Sequence, residues 1–285
     1  MEKCAITFLG TGGGRFVVIT QLRATGGWVL EMDGEMLHID PGPGALVRAK
    51  EYKVSLRKLT GVLCSHAHPE HYTDLEMVIE AMTNGCTKKR GVLVAGENVV
   101  GGECPRVTPY HQKVVEKVAV LKPGKETNIG KIEIVASKTK HGEEKGIGFV
   151  LKGSKVIGYT SDGEVYPGME KEFKGCDVLI LNVLRARNKT WPEHMNTEDA
   201  ARLIKKVKPK LAILQHFGMT ILRAGPEKEA AWVQKKTGIK TIAARDGMIL
   251  DLEKVNLFQD RHLEQSESDE MSRVSFAKGT RHEKV

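Results

Sequence analysis

The chain has 285 residues, 40% of them hydrophobic, enough for a large core and within reach of a single α/β or sandwich enzyme domain. No run of about 18 apolar residues occurs, so no membrane span is expected, and the opening MEKCAITFLGTGGG, with Glu2 and one short apolar run, does not read as a secretion signal. The formal net charge is +8, and the last 26 residues hold five Lys/Arg against six Asp/Glu, so the positive excess lies before them and suits an anionic small molecule or RNA as substrate.

In chain order, residues 4–9 predict a buried strand, and Gly10 to Gly14 then break regular structure. Residues 27–39 form two apolar runs around Asp33-Gly34, a strong hairpin signal. Residues 61–65 predict a short strand, and a helix follows from an Asp74 N-cap through Met82. Later strand candidates are 92–95, 117–121, 131–136, 147–151, 155–160, 177–182, 211–215 and 248–252. Helical patterns cover 197–207, opened by Asn196-Thr197-Glu198-Asp199, and 226–237, opened by Pro226 after Gly225. Two packed sheets with helices outside would satisfy this order. The long stretch 84–112 is otherwise unassigned and includes Lys88-Lys89-Arg90. After about residue 257 the chain turns polar and aperiodic, which divides it into a domain at 1–256 and a tail or peripheral extension at 257–285.

Five cysteines (Cys4, Cys64, Cys86, Cys104, Cys176) form no CxxC pair and are odd in number. They read as small buried hydrophobes in a reduced, cytoplasmic protein.

The chemistry concentrates in Cys64-Ser65-His66-Ala67-His68-Pro69-Glu70-His71-Tyr72-Thr73-Asp74, where three of the chain's ten histidines and a carboxylate share six positions at a strand end. Imidazole suits zinc, copper, iron and nickel, and carboxylate adds a hard donor. Residues 66 and 68 share a face if the strand continues, and a turn through Pro69 would present Glu70 and His71 to a neighbouring point. One loop could thus feed two adjacent metals. His141, Asp162 and His216 each follow an apolar run, the usual place for ligands in α/β proteins.

The ordered set HxHxEH, then His, Asp and His, resembles the metallo-β-lactamase superfamily, with motifs spread over about residues 4–252. Asp40, in His38-Ile39-Asp40-Pro41-Gly42-Pro43-Gly44, matches the early family aspartate that orients the ligand loop from behind. The resemblance implies an α/β fold, a four-layer αββα sandwich with its metals at the sheet edge. It implies one metal on His66, His68 and His141, a second on Glu70, His71 and His216, and Asp162 between them. Two divalent ions are implied, zinc first, with manganese or iron as alternatives. Within the superfamily the tRNase Z and phosphodiesterase branch is the nearer match. Leu9-Gly10-Thr11-Gly12-Gly13-Gly14, the run from His141 to Phe149, and Gly158 to Asp162 are similar to it. His194, ahead of the helix at 197–207, sits where that branch carries a histidine near the scissile phosphate. Dimers are frequent in the family, so a homodimer is the implied assembly, although no interface can be read.

Two positions depart from the family pattern. Glu70 stands where Asp is usual, and Met195 replaces the serine that commonly follows the late histidine. A long Gly/Pro-rich arm of the kind that holds tRNA is not recognisable.

These readings predict a two-metal hydrolase in which water is activated at the metals, Glu70 orients the nucleophile or takes its proton, and His194 assists the leaving group. Arg185, Arg187 and Lys189 are the candidates for gripping an anionic substrate, and Trp191 could stack on a base or simply pack. The glycines at 12–14 read as a tight turn, and Lys205 to Lys210 as a solvated helix end. A phosphodiesterase is the leading function. A thioester, lactone or other carbonyl hydrolase is the second, and a non-catalytic metal- or nucleic-acid-binding protein the third.

Overall fold

The computed structural model describes residues 3–254, so the tail read from residue 257 onward lies outside the described residues. The first sheet grows from alternating apolar runs at the start of the chain: β1 (Ala5–Gly10), β2 (Thr25–Met32), β3 (Glu35–Ile39), β4 (Gly61–Cys64), β5 (Val92–Gly96) and β6 (Lys117–Leu121). Asp33 and Gly34 join β2 to β3 with φ of 54° and 83°. Two positive φ values in a two-residue loop match the twist of the hairpin, which is why Asp-Gly is favoured there. From β3 to β6 the pairings are parallel, and parallel neighbours need crossovers. Helices α1 (Arg15–Thr20), α2 (Ala45–Glu51), α3 (Pro69–Tyr72), α4 (Leu75–Met82), α5 (Glu97–Val100) and α6 (Pro109–Val114) lie in the connections.

The second sheet begins with an antiparallel meander: β7 (Glu126–Ile129), β8 (Ile132–Lys138), β9 (Ile147–Lys152) and β10 (Val156–Tyr159). It continues in parallel through β11 (Val178–Arg185), β12 (Met195–Asn196), β13 (Leu211–Gln215) and β14 (Thr241–Ala243). The helices between are α7 (Met169–Glu172), α8 (Thr197–Val207), α9 (Met219–Ala224) and α10 (Pro226–Thr237). A last strand, β15 (Ile249–Asp251), returns to the first sheet beside β1.

Each sheet has a helical and a sheet-facing side. On the outer face of the first sheet, Leu75, Val78, Ile79 and Met82 of α4 pack on Val62, Cys64, Leu93 and Ala95. On that of the second, Leu203 and Ile204 of α8 and Ala230 and Val233 of α10 pack on Leu179, Leu181, Ala212 and Leu214. Between the sheets Trp28 meets the edge of Tyr159 at 5.6 Å, and Tyr159 stacks on Phe149 at 6.4 Å. All three rings are buried, and aromatic pairs of this kind contribute about 0.5–1.5 kcal/mol beyond their area. The result is the four-layer αββα sandwich.

Helices α8 and α10 occupy the spans their signals predict. Asn196 accepts from the Asp199 amide at 2.9 Å while Asp199 accepts from the Asn196 amide at 3.1 Å, a reciprocal cap. Asp74 does stand at the N-cap of α4, but its side chain is used elsewhere: Oδ2 accepts from the Leu46 amide of α2 at 3.2 Å. Sequence reading misses α1, α2, α3, α7, α9, β7, β12 and β14. The stretch 84–112 carries α5 and the start of α6, two helices of one turn or a little more. Arg90 of its basic run bonds the Arg57 and Leu59 carbonyls, so that side chain is structural.

Strands β3, β4, β8, β10 and β13 all run out toward the edge where the histidines gather. In parallel arrangements, the loops after strand C-termini converge on one side. β8 shares the direction of β10 because each is antiparallel to β9.

Candidate metal centre

Asp40 follows β3 and anchors the histidine loop from behind. Its Oδ1 accepts from the Ser65 amide at 2.7 Å. Its Oδ2 collects three donors: Ser65 Oγ at 2.7 Å, Tyr159 OH at 2.7 Å and His71 Nδ1 at 2.9 Å. Ser65 Oγ in turn lies 2.9 Å from His66 Nδ1. With Nδ1 of both His66 and His71 engaged as donors, each ring keeps a bare Nε2 pointing away from Asp40. His141 is fixed in the same way, its Nδ1 donating to the Glu193 carbonyl at 3.1 Å.

The bare nitrogens face one another. His66 Nε2 and His141 Nε2 each lie 3.1 Å from His68 Nδ1. A single proton on His68 can satisfy only one of them, whereas one cation would satisfy all three. One donor atom each from His66, His68, His141 and Asp162 fall within 4.8 Å of one another. A second group, Glu70, His71, Asp162 and His216, meets the same limit. Asp162 belongs to both.

Asp162 is 1% exposed, with Oδ1 accepting from Asn182 Nδ2 at 2.7 Å. Its Oδ2 has no hydrogen-bond partner, nor have His71 Nε2 and His216 Nε2. Oδ2 is 3.4 Å from His216 Nε2, 3.5 Å from His71 Nε2, and 3.9 Å from both His66 Nε2 and His194 Nδ1. An unpaired buried carboxylate oxygen ringed by imidazole nitrogens is costly unless a cation sits among them. The donor set therefore fits two divalent ions of the zinc type.

The electrostatics point the same way. Burial alone would raise the Asp162 carboxyl, but His216 and His71 outweigh it and hold it well below the usual carboxylate range. Burial lowers His66 and His216. His68 is lowered by burial and by His141. His71 moves upward despite burial, because Asp162 and Asp40 flank it. Burial takes His194 down to about 4, so its ring is neutral at pH 7.

The backbone at these turns is strained. Asp40, Ser161 and His216 have φ of 53°, 55° and 62°, a left-handed conformation that costs a side-chain-bearing residue roughly 1–2 kcal/mol. The glycine turn after β1 explains part of the cradle. A Cβ on Gly13 would lie 2.2 Å from His216 Nδ1, and one on Gly42 would lie 1.8 Å from the Glu70 carbonyl oxygen. Asp246, from the connection between β14 and β15, holds the same turn through Thr11 N at 2.9 Å, Thr11 Oγ1 at 2.6 Å and Ala24 N at 2.7 Å.

All seven residues expected to bind metal thus converge, with Asp40 behind them. His194 stands beside them, its ring 4.8 Å from that of His141 and stacked 6.5 Å from that of His216. The cations expected to grip substrate are divided. The Arg185 guanidinium lies 4.5 Å over the Trp191 ring. Arg187 Nε is bound to buried Glu229 at 2.9 Å, and its guanidinium lies 5.1 Å over Trp232. Arg187 and Lys189 line a surface depression of about 530 Å³ together with Thr220, Arg223 and Glu229. Cys4, Cys64 and Cys176 are buried as expected, but Cys86 is half-buried and Cys104 exposed. Sequence reading does not single out Asn182, Gln215 or Tyr159 as supports. Gln215 Nε2 holds Asn182 Oδ1 at 2.9 Å, and Asn182 Nδ2 reaches Tyr159 OH at 3.1 Å.

The chain matches the family described as the beta-lactamase superfamily domain over residues 36–217. It is 42% identical over 258 residues to the uncharacterized protein MJ1374 of Methanocaldococcus jannaschii, covering 88% of this chain and 96% of that one. It is 21% identical over 288 residues to ribonuclease Z of Methanopyrus kandleri, covering 87% of this chain and 98% of the relative. Among solved structures, the metallo-β-lactamase fold protein YhfI of Bacillus subtilis matches with a TM-score of 0.73 at 20% identity, over 88% of this chain and 100% of that one.

Proposed function

We propose, from the β-lactamase superfamily to which this chain belongs, that its metal-dependent hydrolase activity is directed at phosphodiesters, in RNA or a smaller nucleotide, with two zinc ions. The observation that carries this reading is the pair of donor groups sharing Asp162, with the neutral His194 ring set against them. The likeness to ribonuclease Z adds support.

His66, His68, His141 and Asp162 would hold one ion, and Glu70, His71, Asp162 and His216 the other. When bound, the ions supply Lewis acidity toward a phosphoryl oxygen and acidify water. The chain's own residues do the rest. Asp40, Ser65 and Tyr159 keep the histidine rings turned so that their free nitrogens face inward. Glu70, one methylene longer than the usual family aspartate, orients the attacking water. His194, neutral at pH 7, offers its ring N–H to the leaving oxygen as charge builds there. Arg185 and Lys189 grip the anionic substrate on the loop that leads to His194. Arg187 contributes only the edge of its guanidinium that Glu229 leaves open.

Zinc-loaded protein offered bis-p-nitrophenyl phosphate, a cyclic nucleotide, a precursor tRNA and a thioester tests the proposal. Hydrolysis of one or more of the phosphodiesters is expected. Turnover of the thioester alone would replace it with the carbonyl-hydrolase reading.

A further inference from the structure

Among the described residues, one more set of side chains able to hold a metal converges outside the centre just described. Glu80 lies on α4, Cys86 in the turn after it, and His111 on α6. One donor atom from each falls within 4.8 Å of the other two, and the set shares no residue with either active-site group. We propose that Glu80, Cys86 and His111 form a third cation site, selective for zinc or a similar thiophilic divalent ion.

The argument begins with the ring of His111. Its Nδ1 is 3.0 Å from Glu76 Oε1 and 3.0 Å from Thr108 Oγ1. Glu76 Oε1 also accepts the Thr108 amide at 2.6 Å, which fixes the carboxylate behind the ring. Nδ1 thus faces a carboxylate, as that of His71 faces Asp40. This outer carboxylate is the usual companion of a metal-binding histidine. The opposite nitrogen, Nε2, lies 3.1 Å from Glu80 Oε1. In the metal-free chain a ring proton on Nε2 satisfies Glu80, and an ion that displaces that proton would take both atoms. That ring proton serves Glu80 alone. It leaves unexplained why a thiol closes the third corner.

Cys86 decides the chemistry. Carboxylate and imidazole would serve many divalent ions, but a thiolate narrows the choice to soft or borderline ones. Three protein donors of the N, O and S types leave a fourth position for water. Cys86 is half-buried and meets the Tyr110 hydroxyl, a donor able to support a thiolate. Binding would release the thiol proton to solvent, and no bond changes its oxidation state. The ion would tie α4 to α6 and so close the segment between them. α4 begins at Leu75, four residues after His71, so this clamp lies on the element that leads away from the histidine loop.

The test uses the full chain stripped with a chelator and reloaded with cobalt(II). No cysteine belongs to the active-site groups, so a thiolate-to-cobalt charge-transfer absorption arises outside them, and Cys86→Ala separates Cys86 from the exposed Cys104. We expect that absorption in the parent protein. We expect its loss in Cys86→Ala, together with about one equivalent of metal per chain, while hydrolysis is retained. His111→Ala should lose the same equivalent. Absence of the thiolate absorption from the reloaded parent, or its survival in Cys86→Ala, would overturn the proposal. Loss of activity in Cys86→Ala at unchanged metal content would overturn it too, since the side chain would then act without an ion.

Discussion

At the scale of single residues, the burial of Asp162 sets the terms. Its Oδ2 has no donor, so its charge is balanced only by what the histidines hold. Asp162→Asn keeps the contact with Asn182 but removes the charge shared by both groups. Metal analysis of that variant should show both ions lost, with turnover following. Asp40→Ala acts one step further out, and metal affinity should weaken on the order of 10–100-fold in a chelator competition. His194→Ala should leave the metals in place and slow turnover about 10²–10⁴-fold. Loss of metal from that variant would make His194 a ligand instead. The candidate ligands were legible in the sequence because histidines are scarce and fall in an ordered set. Asn182, Gln215 and Ser65 were not, because amides and hydroxyls occur everywhere and only the fold shows which ones turn inward. The role of Arg187 was hidden for the same reason: its partner Glu229 lies 42 positions away.

At the scale of elements, the glycine turn after β1 is the most exposed to change. A methyl group on Gly13 would collide with the His216 ring, whose side chain is buried and cannot withdraw. Gly13→Ala should weaken the second ion on the order of 10–100-fold while leaving the far-ultraviolet circular dichroism unchanged. An unchanged metal content at limiting zinc would show that the turn can move. α8 offers a contrast, since its capping box stabilises the helix without touching an ion. Asn196→Ala should lower the unfolding free energy by about 0.5–2 kcal/mol in urea. The same signals explain which elements the sequence disclosed. Helices 197–207 and 226–237 carry caps, a first-turn proline or a terminal glycine. α1 buries only Val17 and leaves Phe16 and Ile19 exposed, and β14 is three residues long, so neither has a periodicity to read.

At the scale of the molecule, the ions would join the two sheets. His66 to His71 follow a strand of the first, and His141, Asp162 and His216 follow strands of the second. Chelation should therefore lower the melting temperature on the order of 10 °C relative to zinc-saturated protein. Acid should destabilise the fold through a different residue. His38 is fully buried, its Nε2 donates to the Gly26 carbonyl at 2.8 Å, and burial lowers its pKa to about 4. The unfolded chain takes up that proton near the ordinary value of 6.5. Between those limits the unfolded state binds more protons, so stability falls as pH drops, by roughly 3 kcal/mol from this group alone. Urea midpoints from pH 7 to pH 4 check the slope.

Asp246 adds a constraint of timing. It fixes Thr11 and Ala24 from 235 and 222 positions further along the chain. A ribosome delivers the histidine loop first, then the candidate ligands of the second sheet, and Asp246 after them. Until that residue emerges, the glycine turn lacks its carboxylate anchor and rests on backbone bonds to Ala24 and Phe217. The proposed metal capture would then be completed only after Asp246, and a product cut short before it would carry the histidines on a looser turn.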